Sequence, residues 1–434
     1  MSDISGDLFV SDGLLVNRID ASTATMTAYA GNGLRGGNAG DNGPATQANI
    51  VALDSLALDA SGNLYVGGVA TVRRVDAVTK TIMTYAGTES GCNPTANPGC
   101  GDGGPATSAT FGFISGLATD STGNLYISDE TLNRIRRVDA VTGIITNYAG
   151  TGVAGYTGDN GPATSATLAT PFGLAFDAQD NLYVADSGNN VIRKIDNTAQ
   201  HNITTYAFNG LATFGGDGSS ALSASMNFPQ QVALDANGNL FIGGGFDNVV
   251  RRVDASDQTV ITVAGDINNL DGGFSGDGGP STQALLSNFG VAVDGSENLY
   301  IGDSGNNRIR SVHLAPVAVV NATSLQPFGN VLPGAMSNPG LITVTNTGLD
   351  DLTITNVTVP TGFVLSNLCV NPSTQAPTPV SPTAGSCSLE IVFAPPADAA
   401  AGTVFSGNLT FSANDPANPS FSFPLRAPQV RYLA

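Results

Sequence analysis

The chain has 434 residues, of which 54 are glycine, none is tryptophan and only 12% are charged. Its 35 Asp and Glu against 16 Lys and Arg give a net charge of -19, which excludes nucleic acid and anionic membrane surfaces as partners, since both need a basic footprint. No apolar run reaches the roughly 20 residues of a membrane helix, so helical membrane insertion is excluded as well.

Residues 1–5 lack the basic start and apolar stretch of an export signal. The chain opens in mid-pattern, and the expectation is that a signal and some upstream sequence precede Met1. A phrase of the type Gly-Asn-Leu-Tyr then recurs, with its leucine at Leu8, Leu64, Leu125, Leu182, Leu240 and Leu299. Six copies at a near-constant step of roughly 60 residues mark a repeat architecture.

The third copy shows the whole unit. Strands are predicted over 116–120, 125–129, 134–139 and 144–149, with turns at 121–124 and 140–143 and a loop at 130–133. A long Gly-rich loop, 150–171, leads to the next unit. Four antiparallel strands repeated radially make a propeller blade, and neighbouring blades must cover each other's faces. The first copy keeps only Met1 to Asp3 where its innermost strand belongs. The last stops near Val312 without a clear fourth strand, for which 315–320 is a candidate. A closed six-bladed ring with thinned terminal blades is the reading; a longer propeller cut at Met1 is the alternative.

The phrases at 173–177 (GLAFD), 181–186 (NLYVAD), 187–190 (SGNN) and 191–196 (VIRKID) resemble NHL repeats. The loop phrases at 101–107 (GDGGPAT), 158–164 (GDNGPAT) and 276–282 (GDGGPST) are similar to long-period NHL copies of bacterial exported proteins and of the teneurin propeller. The resemblance implies an NHL-type β-propeller over 1–315 and leaves function open, because one scaffold hosts many activities.

Near Pro316 the Gly-Asp loops vanish and Pro, Thr, Ser and Val rise. Short alternating strands are predicted around 341–348, 352–359, 388–393 and 407–412, led by 325–331. This pattern indicates a C-terminal β-sandwich over 316–434. The pattern ending at Gly348, Cys387 and the phrase at 392–395 (VFAP) resembles the hydin or abnormal-spindle type of immunoglobulin-like domain of bacterial surface proteins. The fold class expected is all-β: a six-bladed β-propeller plus an immunoglobulin-like β-sandwich. Cys92 with Cys100 and Cys369 with Cys387 form two close pairs, which suits two disulfides and an extracellular or cell-surface location. The second pair is expected to staple a loop-rich corner.

In a four-stranded meander the loops before the first strand and after the second share one rim. That rim collects Asp41, Asp102, Asp159, Asp217 and Asp277 with Asn133, Arg134, Asn189, Asn190, Asn306, Asn307 and Arg308. The repeated Asp and Gly suit turn chemistry. Residues that differ between copies are better ligand candidates, and Phe172, Gln230, Gln231, Asn288 and Phe289 vary just before the inner strands. Arg73, Arg74, Arg136, Arg137, Arg193, Arg251, Arg252 and Arg310 are expected to make exposed pairs with Asp76, Asp139, Asp196 and Asp254. His201 and His313 have no partner cluster for a metal or a triad. The Gly-Asp-Gly-Gly turns superficially resemble calcium loops but lack the ligand spacing of an EF-hand. The expected function is non-catalytic recognition of a protein or glycan by the rim, with no cofactor. The alternatives are a calcium-dependent lyase or hydrolase, and a self-associating structural component of a surface layer or filament.

Overall fold

A computed structural model of the chain describes residues 1–34, 36–51, 55–94, 99–287, 290–315, 318–321, 328, 331–346, 348–349, 352–367, 369, 377–380, 385–400, 403–415 and 418–427. It is all-β and divides into two units, Met1–Val312 and His313–Ala434.

The first unit is a six-bladed propeller. In blade 3 the strands run Ile114–Thr119, Leu125–Asp129, Arg134–Val138 and Ile145–Ala149, in simple meander order. These lie within two residues of the expected bounds. Blade 2 (Ser55–Leu58, Leu64–Gly67, Val72–Val75, Thr81–Ala86), blade 4 (Pro171–Phe176, Leu182–Asp186, Val191–Ile195, Asn202–Ala207) and blade 5 (Gln231–Leu234, Leu240–Gly243, Val250–Val253, Thr259–Ala264) repeat it. Each of these three adds a two-residue strand from the preceding long loop to its outer edge, at Gly43–Pro44, Gly161–Pro162 and Ser219–Ser220.

The terminal blades are thinner. Blade 1 has Leu8–Ser11, Val16–Ile19 and Met26–Ala30, with its inner strand reduced to a bridge between Ser2 and Leu8. Blade 6 has Gly290–Val293, Asn298–Asp303 and Arg308–His313. The segment 315–320 does not complete it: the strand Ala318–Asn321 pairs with Gly340–Asn346 in the second unit. Its sequence, AVVN, lacks the Ile-x-x-Tyr-Ala pattern of the outer strands in blades 2 to 4.

Why the blades form one body is visible in the cores. Val72 of blade 2 packs with Ile114, Leu117 and Leu125 of blade 3. Ile135 of blade 3 packs with Leu174, Leu182 and Val184 of blade 4. Each such side chain contributes about 1.5–3 kcal/mol by burial, and none could be buried within one sheet. Adjacent inner strands also bond directly: Ser115 Oγ donates to Pro171 O at 2.8 Å, and Gly173 N–H donates to Gln230 O at 2.7 Å. The ring closes in the same manner, with Ser2 Oγ donating to Val293 O at 2.9 Å.

The second unit is a sandwich of two antiparallel sheets. One contains Ala318–Asn321, Gly340–Asn346, Ser386–Phe393 and Phe363–Asn367; the other contains Ile354–Thr358, Ser406–Ala413 and Ser420–Arg426. Strict alternation sends Ile342, Val344, Leu389, Ile391, Phe393, Leu409 and Phe411 into one core. Both disulfides, Cys92–Cys100 and Cys369–Cys387, are formed. Cys387 lies within a strand paired to Val344 rather than in a loop, so the tether anchors to the sheet itself. Most of 325–331 lies outside the described residues.

Candidate functional site

The recurrent residues hold the blades together. At one rim, Asp177 accepts from the Asn181 backbone N–H at 2.8 Å and from its Nδ2 at 2.8 Å, while Asn181 Oδ1 accepts from Asn197 N–H at 3.0 Å. Asn63, Asn124 and Asn239 repeat this bridge between two turns. The Asn of the Gly-Asn-Leu-Tyr phrase is therefore a clamp.

The opposite rim carries the long loops. The arginine doublets do not behave as a uniform exposed set. The first Arg of each, at Arg73, Arg136, Arg193 and Arg251, is almost fully buried and pairs with the loop aspartates Asp41, Asp102, Asp159 and Asp217 at 2.5–2.7 Å. Only the second, at Arg74, Arg137 and Arg252, takes the expected partners Asp76, Asp139 and Asp254. A register shift immediately before the inward Arg, between Val72 and Arg73, Ile135 and Arg136, and Val250 and Arg251, accompanies the inward turn of that guanidinium. Loop aromatics lie against the buried members, Tyr156 on Arg193 and Phe214 on Arg251. The loop glycine before each Asp is also required. Gly158 has φ +92, and a Cβ there would meet Ala166 Cα at 2.6 Å.

A second ring of aspartates ends the second strands of blades 3, 4 and 6 and follows that of blade 5. Asp129, Asp186 and Asp303 are fully buried, and Asp247 nearly so. Each accepts a backbone N–H from the segment entering the inner strand: Gly112, Ala169, Ser287 and Asn227. Burial pushes Asp129 and Asp186 up to about 6, opposed by those N–H bonds and by Arg136 and Arg193.

The rim asparagines sit in this framework. Asn189 Nδ2 donates to Asp186 and to Gly155 O, and Asn306 Nδ2 to Asp303 and to Gly273 O. Asn133, Asn190 and Asn307 adopt left-handed backbone, with φ near +50. The side chains of the first two accept from Thr170 N–H and Phe228 N–H of the next blade, each at 2.9 Å. Arg134 donates to Thr151 O, and Arg308 stacks on Phe274 with 3.8 Å to the ring centroid. Asn288 and Phe289 lie outside the described residues.

The central channel is a different environment. It encloses about 750 Å3 and takes lining residues from all six blades. Leu58, Leu117, Leu174, Val232 and Val293 give it apolar walls. Phe172, Gln230 and Gln231 line it, as do Glu130 and Phe113, which the repeat pattern did not single out. From Phe172 an aromatic stair climbs outward. Phe172 and Phe228 have centroids 5.7 Å apart, Phe228 and Phe246 likewise, and Phe246 is 69% exposed. Phe246 occupies a Gly-Gly-Phe-Asp segment at the position of Thr131 in blade 3, Gly188 in blade 4 and Gly305 in blade 6. That departure was the available signal for it. Among the described residues no cluster of three or more His, Cys, Asp or Glu is arranged to hold a metal.

Residues 77–154 match the family model of the teneurin NHL domain. The fold is that of an NHL-repeat propeller. Mouse teneurin-3 is 29% identical over 71% of this chain and 12% of its own length. Mouse teneurin-4 is 31% identical over 55% of this chain and 9% of its own length. The chain thus spans about a tenth of the curated relatives it matches. Among solved structures, an auxiliary nutrient binding protein from Bacteroides ovatus superposes with TM-score 0.51 at 13% identity, covering 72% of this chain and 67% of that one. That likeness is one of fold. No helix among the described residues is long and apolar enough to cross a membrane.

Proposed function

We propose that this chain is a non-catalytic extracellular recognition module whose propeller mouth binds a protein or glycan partner. The observation that carries the reading is the separation of repeated from blade-specific residues. The repeated Asp, Asn and Arg are engaged with one another and with backbone. The residues that differ between blades, Phe172, Gln230, Gln231, Glu130 and Phe246, gather at the channel and beside it. Aromatic faces next to neutral amides suit sugar rings and peptide side chains, where one face is apolar and the edge is polar. Two disulfides and the teneurin likeness support an extracellular setting. The β-sandwich, read as immunoglobulin-like, serves as a spacer. Asn133, Arg134, Asn189, Asn190, Asn306, Asn307 and Arg308 belong to the proposal as the wall that fixes the mouth's shape.

The test is a glycan and secreted-protein array probed with the wild type, Gln231→Ala and Phe246→Ala. Loss of the same ligand signals in both variants, with melting unchanged, is the expected result. Ligand signals that both variants retain would move the site elsewhere. Turnover of a bound glycan would revive the lyase or hydrolase reading.

A further inference from the structure

The channel wall is apolar at one end and polar at the other, and this polarity points to a ligand of a different class from the partner at the mouth. Each inner strand runs from the loop rim to the Asp–Asn rim. Four of the five described inner strands end in an apolar residue, at Leu58, Phe176, Leu234 and Val293, and all four line the channel. Each is only half-buried, so the ring keeps apolar surface that the fold does not cover. The fifth ends in Thr119, whose Oγ1 donates to Leu58 O at 2.7 Å.

Other hydroxyls of the wall are likewise spent on the ring itself. Ser115 donates to Pro171 O at 2.8 Å, Ser2 to Val293 O at 2.9 Å, and the Tyr300 hydroxyl to Asp294 at 3.0 Å. The remaining polar lining residues stand at the loop-rim end. Ser55 and Gln231 begin inner strands, with Gln230 just before, Ser11 ends a second strand, and Glu130 and Ser304 follow second strands. Among the described lining residues Glu130 is the one charged side chain, and no Lys, Arg or His is present.

A volume of about 750 Å3 falls in the roughly 300–1,000 Å3 range of small-molecule sites, which are mostly apolar with a few placed polar groups. Water in the channel leaves the strand-end side chains hydrated, and an apolar body that displaces it gains by their burial. An anionic head would leave bulk water for a mouth that offers a carboxylate and no cation, which is costly.

We propose that the channel binds a small amphiphile, with an apolar body against Leu58, Phe176, Leu234 and Val293 and an uncharged hydrogen-bonding head at Gln230 and Gln231. Glutamine amides both donate and accept, which suits a hydroxyl or amide head. The site lies inside the ring and does not depend on the mouth taking a protein or glycan, which the array tests separately.

The probe is N-phenyl-1-naphthylamine, a neutral fluorophore that brightens in apolar surroundings, titrated into the full chain at neutral pH and then displaced by straight-chain competitors. One saturable site is expected. Octanamide should compete at least about tenfold better than octanoate, because only the carboxylate brings a charge. Octanamide should also bind more tightly than hexanamide, by up to about fourfold for each added CH2. Leu234→Asn should weaken probe binding at least about tenfold and flatten that chain-length dependence. Leu211→Ser, at an exposed apolar residue of the loop rim, should leave both unchanged. If Leu234→Asn does not fold, the head-group and chain-length series on the wild type decide. No competition by octanamide up to about 1 mM, equal competition by octanoate, or probe binding lost in Leu211→Ser and kept in Leu234→Asn overturns the proposal.

Discussion

The two rims of the propeller use the same residue types for different ends. At the Asp–Asn rim every complete blade repeats one clamp, as in Asp59–Asn63, Asp120–Asn124 and Asp177–Asn181. At the loop rim the repeated charges form an outer frame, and the channel beside it is lined by residues that change from blade to blade. Repetition therefore marks construction. A ligand contacts the ring on one side, so recognition is expected where the repeat fails.

The largest expected effect breaks the frame. Arg193 is fully buried between Asp159 and Asp186. Arg193→Ala leaves two carboxylates without their guanidinium and should cost about 3–5 kcal/mol in urea unfolding. Arg137→Ala, at the outward-facing member of the blade 3 doublet, should cost about 0–1 kcal/mol. Equal costs would mean that the inward and outward members are not distinct.

Next in size is a pH effect. The Asp129 and Asp186 carboxyls titrate near 6 when folded, against about 4 in an unfolded chain. The folded state then holds more protons between those values. Their contribution to stability is full below about pH 4 and is lost as pH rises through about 6. A variant carrying Asp129→Asn and Asp186→Asn should show a flatter profile over that window, by up to about 1.4 kcal/mol per pH unit for each group. Identical slopes in wild type and variant would contradict the assignment.

Asn181→Ala tests the opposite rim. It removes the bonds to Asp177 and Asn197 and should cost about 1–2 kcal/mol, measured by thermal melting, with ligand binding intact. The smallest expected effect is that of calcium. The loop aspartates are already held by arginines, so melts with added calcium and with chelator should coincide. A clear rise with calcium would show a folded-state metal site and reopen the enzyme reading.

Much of this fold is legible in the chain. Leu64, Leu125, Leu182 and Leu240 each begin a second strand, and the four strands of blade 3 follow from alternation and turn residues alone. What was not legible depends on contacts distant in sequence. Arg136 and Arg137 read as equivalent until the register with Ile145–Ala149 turns one inward toward Asp102. The segment 315–320 reads as a candidate fourth strand of the last blade, and the pairing of Ala318–Asn321 with Gly340–Asn346 assigns that strand to the sandwich. Phe246 is one exposed aromatic in a Gly-rich turn, and its relation to Phe172 arises from two blades meeting through Phe228. Asn133 and Asn190 are a similar case, since their partners Thr170 and Phe228 lie in the following repeat.

The most direct test of the recognition account is array binding of the wild type beside Phe246→Ala, with melts of both. The account predicts ligand signals that the wild type shows and Phe246→Ala loses, at equal melting temperature. Full ligand binding by the Phe246→Ala protein would contradict it.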